Sequence, residues 1–306
     1  MNATVTSKPA SSVPVEATAG RSPGSAALRA LLRNRLAVAA LAVLAVMLIA
    51  AVFAPLLAPC DPAAQNLLLR LHPPVWEHGG SSAHPLGTDQ LGRDMLSRVI
   101  YGTRVSLLVG AGAALLAGVI GTAVGLVSGF FGGWPDRILM RLADVQLAFP
   151  AILLALAIVG FLGSGLWYVI LVLGFTGWVS YARVVRSEVM SLRSRDFITE
   201  ARAIGVTDGA IMRRHLLPNV MAPLATIGTL HVAAAIVAEA SLSYLGLGVP
   251  RETVTWGSML ADGQLYLGTS WWLAVFPGTA LMITSLAVNI TGDALRDVAD
   301  PKAYRR

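Results

Sequence analysis

Charged residues are scarce in this sequence. Only 13% of its 306 residues are Asp, Glu, Lys or Arg, about half the usual share of a soluble domain, while 55% are hydrophobic. Too few charges remain to cover a water-exposed surface, and the positive mean hydropathy of +0.67 agrees. The composition therefore excludes an ordinary soluble domain and indicates that lipid surrounds the chain.

Several residues and motifs that a metal site, a nucleotide site or a hydrolase would need are also missing. Cys60 is the only cysteine, so the chain alone forms neither an internal disulfide nor a cysteine metal site. Lys8 and Lys302 are the only lysines, and neither follows a glycine, which rules out a Gly-x4-Gly-Lys-Ser/Thr phosphate loop. His-Glu-x-x-His and Gly-x-Ser-x-Gly are absent as well. We therefore expect no catalytic residue, no metal site and no bound cofactor in this chain.

Long apolar runs are what the sequence does contain. Each is close to the ~20 residues that a helix needs to cross a bilayer. They predict an all-α integral membrane protein with about six transmembrane helices, near residues 36–58, 105–129, 138–162, 166–184, 220–243 and 271–292. Long polar segments between them, at 59–104 and 191–219, are predicted to lie on opposite sides of the membrane.

The ends of the chain differ from this core. Residues 1–27 are rich in Ser, Thr, Pro and Ala and predict a disordered tail, and 28–58 hold three arginines followed by the first span. A cleaved signal peptide is the alternative interpretation of that pattern, but its apolar region would be about 7 to 15 residues long. The longer run here favours a retained helix.

The distribution of basic residues predicts the orientation. With six spans and an inner N-terminus, 18 of the 23 basic residues fall on inner segments and five on outer ones. This asymmetry predicts that both termini, including the tail 293–306, are cytoplasmic. Because the arginines cluster beside apolar runs, we interpret them as facing membrane lipid and expect no nucleic-acid partner.

Small and aromatic residues suggest how the spans are packed. Gly118, Gly121, Gly125 and Gly129 recur at spacings of three and four, which favours close packing between helices of this chain over a contact between subunits. In the second outer loop, 244–270, Trp256 precedes Trp271 and Trp272 at the membrane re-entry. Their position favours anchoring at the headgroup level over a binding cage.

The polar segment 191–219 carries the signals of a helix, a turn and a second helix. The first helix is predicted to stop at Gly205, which adopts a left-handed conformation without steric cost. Thr207 or Asp208 then caps a helix with Ile211 and Leu216 on its apolar side, which Pro218 ends or kinks. A short rigid elbow of this kind suits docking to a soluble partner.

This elbow resembles the EAA loop of ABC importer permeases, whose pattern reads Glu-Ala-Ala, three residues, Gly, nine residues, Ile, one residue, Leu-Pro. Gly205 and Leu217-Pro218 match that spacing, whereas Thr199, Glu200 and His215 replace the usual Glu, Ala and Ile. Further stretches resemble the dipeptide, oligopeptide and nickel importer permeases, in particular the OppC/DppC-like subunit. They are RNRLAVAALAVL, FAPLLAPCDP, HPLGTDQLGRDMLSRVIYGTRVSL, GGWPDRILMRLADVQLAFP, EASLSYLGLG and NITGDALRDVADPKAY, in order over about residues 33–304.

The resemblance implies a type I ABC importer permease fold with a five-helix core at 105–292. It implies a second homologous permease subunit, two cytoplasmic ATPase subunits that bind ATP and Mg, and an external solute-binding protein. Peptides or a related small solute, such as a nickel chelate, would be moved by alternating access. The residues implied to couple the chain to an ATPase are Glu200, Ala201, Arg202, Ala203, Gly205, Asp208, Arg213, Arg214, Leu217 and Pro218.

A few polar residues and prolines lie within the predicted spans. His231 and Glu239, eight residues apart, lie near one helical face and either line the transport path or form interhelical hydrogen bonds. Asp144 is predicted to pair with Arg141, three residues before it, for a structural purpose. Pro150 and Pro277 indicate hinges or fixed curvature in the third and sixth spans.

Two other functional classes fit the sequence less well. An intramembrane enzyme needs paired catalytic groups at one depth, whereas His231 and Glu239 would lie about 12 Å apart along a helix. A self-sufficient channel or secondary carrier has no need of a docking elbow and often contains an internal repeat, which this sequence does not clearly show.

Overall fold

The computed structural model describes residues 34–250 and 252–299, and over these residues the secondary structure is helical apart from one isolated bridge between Thr88 and Asp94. The predicted disordered tail 1–27 and the end of the C-terminal tail lie outside the described residues. In chain order the helices are α1 Arg35–Val52, α2 Ala54–Leu57, α3 Met95–Phe131, α4 Gly133–Leu147, α5 Ala151–Leu162, α6 Leu166–Arg193, α7 Asp196–Ala203, α8 Asp208–Ile211, α9 Leu217–Tyr244, α10 Trp256–Gly263 and α11 Trp272–Ala299.

Five helical segments of this part of the chain are long and apolar enough to cross a membrane: α1, α3, α6, the continuous run from α8 through α9, and α11. The pair α4 and α5 passes the same test together but is bent by 88°, so six spans result if the pair counts as one. The predicted all-α membrane fold with about six spans is thereby confirmed.

Capping residues set the two ends of the long helix α3. Asp94 caps α3, because its carboxylate accepts the backbone N–H of Ser97 at 2.8 Å. At the other end, Gly132 has φ +64, a left-handed conformation that side chains other than glycine rarely adopt. The helix therefore starts about ten residues before the apolar run that predicted it, because Asp94 rather than hydropathy sets its start.

The most extensive helix contact joins α3 to α6 and depends on glycine. A Cβ atom at Gly121 would lie 2.5 Å from the carbonyl oxygen of Trp178, and one at Gly125 would lie 2.6 Å from Cβ of Val185. Glycine therefore lets the two backbones approach closely at these points. The predicted intramolecular role of the glycine series is confirmed for this face of α3.

The third predicted span is not one continuous helix. It stops at Leu147 and restarts at Ala151, with Pro150 immediately before the second part. Because proline lacks an N–H and disfavours a helical conformation at the preceding residue, the break falls where Pro150 directs it. At Pro150, where a hinge or fixed curvature is predicted, α4 and α5 meet at a bend of 88°.

The tryptophan prediction was wrong for two of the three residues. Trp256 and Trp272 are buried, and their indole N–H groups donate to the backbone carbonyls of Val99 and Thr88 at 3.0 and 3.1 Å. Trp271 is half-buried and donates to Glu77. The rings of Trp256 and Trp272 hold the outer segment 59–104 against α10 and α11 instead of lying among headgroups, since both indoles find their polar partners inside the protein.

The predicted Arg141–Asp144 pair is also replaced. Asp144 accepts from Arg183 Nη2 at 2.8 Å, and Asp136 forms a second ion pair with Arg186. Both bonds join α4 to α6, so the carboxylates of α4 face the neighbouring helix rather than an arginine of their own helix.

Candidate functional site

The elbow is anchored to the bundle by an apolar cluster. Ile198 and Ala201 of α7, together with Ile211 and Leu216 after the turn, are buried against the adjacent ends of α3 and α6. The contacts on those helices come from Phe130, Val185, Val189 and Leu192. Because both arms of the elbow share this core, the elbow is fixed to two of the long helices at once.

The turn between the arms has the hydrogen bonds of a Schellman motif. Gly205 has φ +82, its N–H donates to the carbonyl of Arg202, and the N–H of Val206 donates to that of Ala201, both at 3.0 Å. The helix stop predicted at Gly205 is confirmed. Thr207 occupies the following N-cap position, although its side chain accepts no capping hydrogen bond.

Of the two outcomes predicted for Pro218, an end or a kink of the second arm, the structure excludes the end. Pro218 does not end the arm, because α8 passes through a π-helical turn at Met212–Leu216 directly into α9. Pro218 lies in the first turn of α9, where the widened turn before it accommodates the missing N–H. The elbow is therefore continuous with a membrane-spanning helix, and a force on the elbow acts on that helix directly.

The surface of the elbow combines charged groups with one large apolar side chain. Arg202 lies over the Phe130 ring at 4.9 Å and approaches Asp208 at 3.7 Å, which fixes its guanidinium beside the turn. Ile204, which was not among the predicted coupling residues, is 81% exposed at the tip. Of the predicted residues, Ala201 is buried, Leu217 is half-buried, and the exposed ones are Glu200, Arg202, Ala203, Gly205, Asp208, Arg213, Arg214 and Pro218.

Sequence reasoning missed Ile204 because it was read only as the end of the first helix. The spacing points the other way, because Ile204 follows Ala201 by three residues and would share its buried face if the helix continued. Ile204 is exposed because the helix ends at Ala203. An exposed apolar residue surrounded by charges is typical of a docking anchor.

A second candidate site is the cavity beside His231. It has a volume of about 340 Å³ and lies between the α4–α5 break, α6 and α9. His231 projects towards Gly177, where a Cβ would lie 2.1 Å from its ring, and it packs edge-on against Tyr181 at 5.4 Å. Most of the lining is small or apolar, with polar atoms from Thr176, Ser180 and His231.

Glu239 does not line that cavity. It is buried on another side of α9, where it accepts from Ser243 at 2.7 Å and from Ser106 of α3 at 3.5 Å. Ser243 also accepts the N–H of Val249 at 3.4 Å. The structure thus separates the two residues that the sequence placed near one helical face, and it connects Glu239 to α3 and to the loop after α9.

Within the described ranges, no three His, Cys, Asp or Glu side chains are grouped in a way that could hold a metal ion. One polar cluster in these ranges is a set of ion pairs at the start of α3, where Asp89 of the preceding loop pairs with Arg93 and with Arg98 of the helix.

Comparisons with known proteins agree with this architecture. Residues 121–305 match the family described as binding-protein-dependent transport system inner membrane component, and residues 22–74 match the N-terminal TM domain of oligopeptide transport permease C. A solved structure of the MetNI methionine ABC transporter in an inward-facing conformation has a similar fold, with a TM-score of 0.55 at 20% identity over 67% of this chain and 97% of that one.

Similar curated proteins extend over nearly the whole chain. The dipeptide transport system permease protein DppC of Alkalihalophilus pseudofirmus is 39% identical over 97% of this chain and 96% of its own. The di/tripeptide permease DppC of Pseudomonas aeruginosa is 40% identical, with 88% and 89% covered. The glutathione permease GsiD of Pectobacterium atrosepticum is 39% identical, with 92% of each covered. The chain therefore belongs to the binding-protein-dependent transport system inner membrane component family, as a multi-pass inner-membrane permease subunit of an ABC importer.

Proposed function

We propose that this permease moves peptides, and that the elbow within residues 191–219 is where a cytoplasmic ATPase subunit drives it. The coarser assignment, an ABC importer permease that works with ATPase and substrate-binding partners, follows from the family. The finer assembly proposed is one copy of this chain, a second homologous permease, two ATPase subunits that bind ATP and Mg, and an external solute-binding protein.

The observation that carries the proposal is the attachment of the elbow. Its two arms share a core with the ends of α3 and α6, and its second arm continues into α9 without a break. A push on the elbow therefore acts on three long helices together, which is the mechanical requirement for rigid-body switching between inward-open and outward-open states. ATP hydrolysis belongs to the partner subunits, and the elbow transmits their movement.

Peptide as the substrate class is supported by the relatives, which are permeases for dipeptides, di/tripeptides and glutathione. The cavity beside His231 is the proposed part of the transport path. Its small side chains leave room for peptides of different sequence. Its few polar groups suit a substrate that carries its own backbone hydrogen-bonding groups.

The docking proposal is tested by Ile204→Asp, with Leu265→Asp as the matched control. Both side chains are 81% exposed, but Leu265 lies in the turn after α10, far along the chain from the elbow. We expect Ile204→Asp to weaken ATPase docking by about 2 kcal/mol, about 30-fold in affinity, because a charge would replace a central apolar anchor.

The measurements are co-purification of the ATPase subunits and ATP-dependent uptake of a labelled dipeptide. Leu265→Asp should retain the ATPase subunits. If Ile204→Asp keeps both docking and uptake at the control level, the elbow is not the coupling site. Uptake by this chain reconstituted without any ATPase would refute the importer mechanism itself.

A further inference from the structure

The bend between α4 and α5 leaves an apolar crevice on the side of the bundle opposite to His231. Two adjoining cavities of about 350 Å³ each lie here, the first between α4 and the helices α3, α5 and α6, the second between α3, α5 and α6 alone, and both are lined by Ile120 and Phe175. Leu154 lines the first and Leu162 the second, whereas Ala151 and Ala155 face the His231 cavity. Helix α5 thus separates the crevice from the proposed transport path.

The two cavities follow one another along the helices. On α3 the lining runs from Val124 to Leu116, about 12 Å at the helical rise of 1.5 Å per residue, and on α6 it runs from Trp178 to Leu171. Both directions lead away from the end of the bundle that holds the elbow. The crevice is therefore a narrow track roughly parallel to the helices, with its lower end beside α4.

No polar group of the lining is left to bind a polar ligand. Gln146 is the only amide in the track, and its Nε2 donates to the carbonyl of Thr176 at 2.7 Å while its Oε1 accepts from Trp178 at 2.6 Å. The other lining residues are aliphatic or aromatic. An occupant of the track must therefore be a hydrocarbon, because a polar group there would lose its hydrogen bonds to water without replacement.

Cationic side chains lie on α4 beside the lower end of the track. Arg137 and Arg141 are exposed and one helical turn apart, and neither forms an ion pair with another described residue. The nearby carboxylates of Asp136 and Asp144 are already paired with Arg186 and Arg183. The open cavity beside them, about 610 Å³, is lined by the guanidinium groups of Arg137, Arg141 and Arg186 and by the two carboxylates, so it has an excess of positive charge.

The exposed face of α4 joins the two features. Trp134, Ile138 and Leu142 are 70%, 45% and 59% exposed, and they lie between the arginine edge and the crevice. A helix that combines basic residues with exposed aromatic and aliphatic ones is typical of the boundary between headgroups and acyl chains.

We propose that this surface binds one anionic phospholipid, with its phosphate on Arg137 and Arg141 and an acyl chain in the crevice between α3, α5 and α6. The lipid fills the space that the bend opens and so supports the broken span from the side away from the path. The assignment to the inner leaflet rests on the proposed function, which places the elbow in the cytoplasm.

The test uses the purified importer complex and measures retained lipid by native mass spectrometry after exposure to phosphatidylglycerol or phosphatidylcholine of identical chains. We expect preferential retention of phosphatidylglycerol by the wild type. Arg137→Gln/Arg141→Gln should weaken it by about 30-fold, since each basic residue near a headgroup contributes roughly a fivefold factor. Ile120→Phe should weaken retention of both lipids by filling the track.

The control is Arg35→Gln/Arg296→Gln, which removes two exposed arginines that lie at helix ends away from α4. Equal loss in the control would show general attraction to basic residues, and equal retention of the two lipids by the wild type would show that headgroup charge is not recognised. Either result would overturn the proposal. Cross-linking of Val145→Cys to a cysteine introduced into the second permease, after addition of an oxidant, would also overturn it, because a protein would then cover the crevice. Lipid retention is measured without transport, so its failure is distinct from failure of the proposed function.

Discussion

At the scale of single residues, two ionisable side chains of helix α9 have different surroundings. Glu239 and His231 lie on one helix, yet Glu239 is enclosed by hydroxyl groups while His231 borders an open cavity. A buried carboxyl group keeps its place only with hydrogen-bond partners, so Glu239 acts as a connection between α9, α3 and the loop that follows α9.

At this scale we predict that Glu239→Ala destabilises the protein by about 1 to 3 kcal/mol, because the hydroxyls of Ser106 and Ser243 lose their buried partner. Glu239→Gln should cost less, since an amide oxygen still accepts a hydrogen bond. Thermal unfolding of the purified complex measures both. The control is Glu188→Ala on the exposed face of α6, which should leave the melting temperature unchanged. Equal melting of the Glu239 and Glu188 variants would contradict the connecting role.

At the scale of elements, packing between α3 and α6 depends on specific glycines rather than on glycine content. A Cβ at Gly125 would lie 2.6 Å from Val185 and 2.7 Å from the carbonyl oxygen of Ala182. At Gly118 the nearest atom, on the Tyr181 ring, would be 3.4 Å away, an ordinary contact. A methyl group added at Gly125 would therefore clash with α6, whereas one added at Gly118 would make an ordinary contact.

We accordingly expect Gly125→Ala to destabilise the bundle by about 1 to 3 kcal/mol through overpacking against a rigid backbone. Gly118→Ala should be neutral or stabilising by up to about 1 kcal/mol, since alanine favours helix over glycine. Both variants change the same atoms in the same helix, so the difference between their unfolding temperatures isolates the contact with α6. The reverse order of stability would mean that the two helices are not packed as described.

At the scale of the whole molecule, orientation in the membrane is the main open prediction. Cys60 offers a direct measurement, because it is the only cysteine and it lies just after α2 in the predicted outer loop. Burial, and then the nearby Asp94 carboxylate, raise the pKa of this thiol. Less thiolate is therefore present at neutral pH than for an ordinary cysteine, and labelling should be slow.

We predict that a membrane-impermeant maleimide labels Cys60 from the outside of intact cells. The rate should rise about tenfold per pH unit as long as the pH stays below the raised pKa, because only the thiolate reacts. Cys60→Ser serves as the blank. Labelling that occurs only after the membrane is opened would reverse the predicted orientation, and with it the cytoplasmic placement of the elbow.

The sequence by itself determined that the chain lies in a membrane, the approximate number of spans, and the helix stop at Gly205. These properties follow from run length and from turn chemistry, which are local. Only the tertiary structure decided that Trp256 and Trp272 are buried, that Asp144 pairs with Arg183, that Glu239 turns away from the His231 cavity, and that the third span bends by 88°. In a membrane protein an apolar face can meet lipid or another helix equally well, so periodicity does not show which contact it makes.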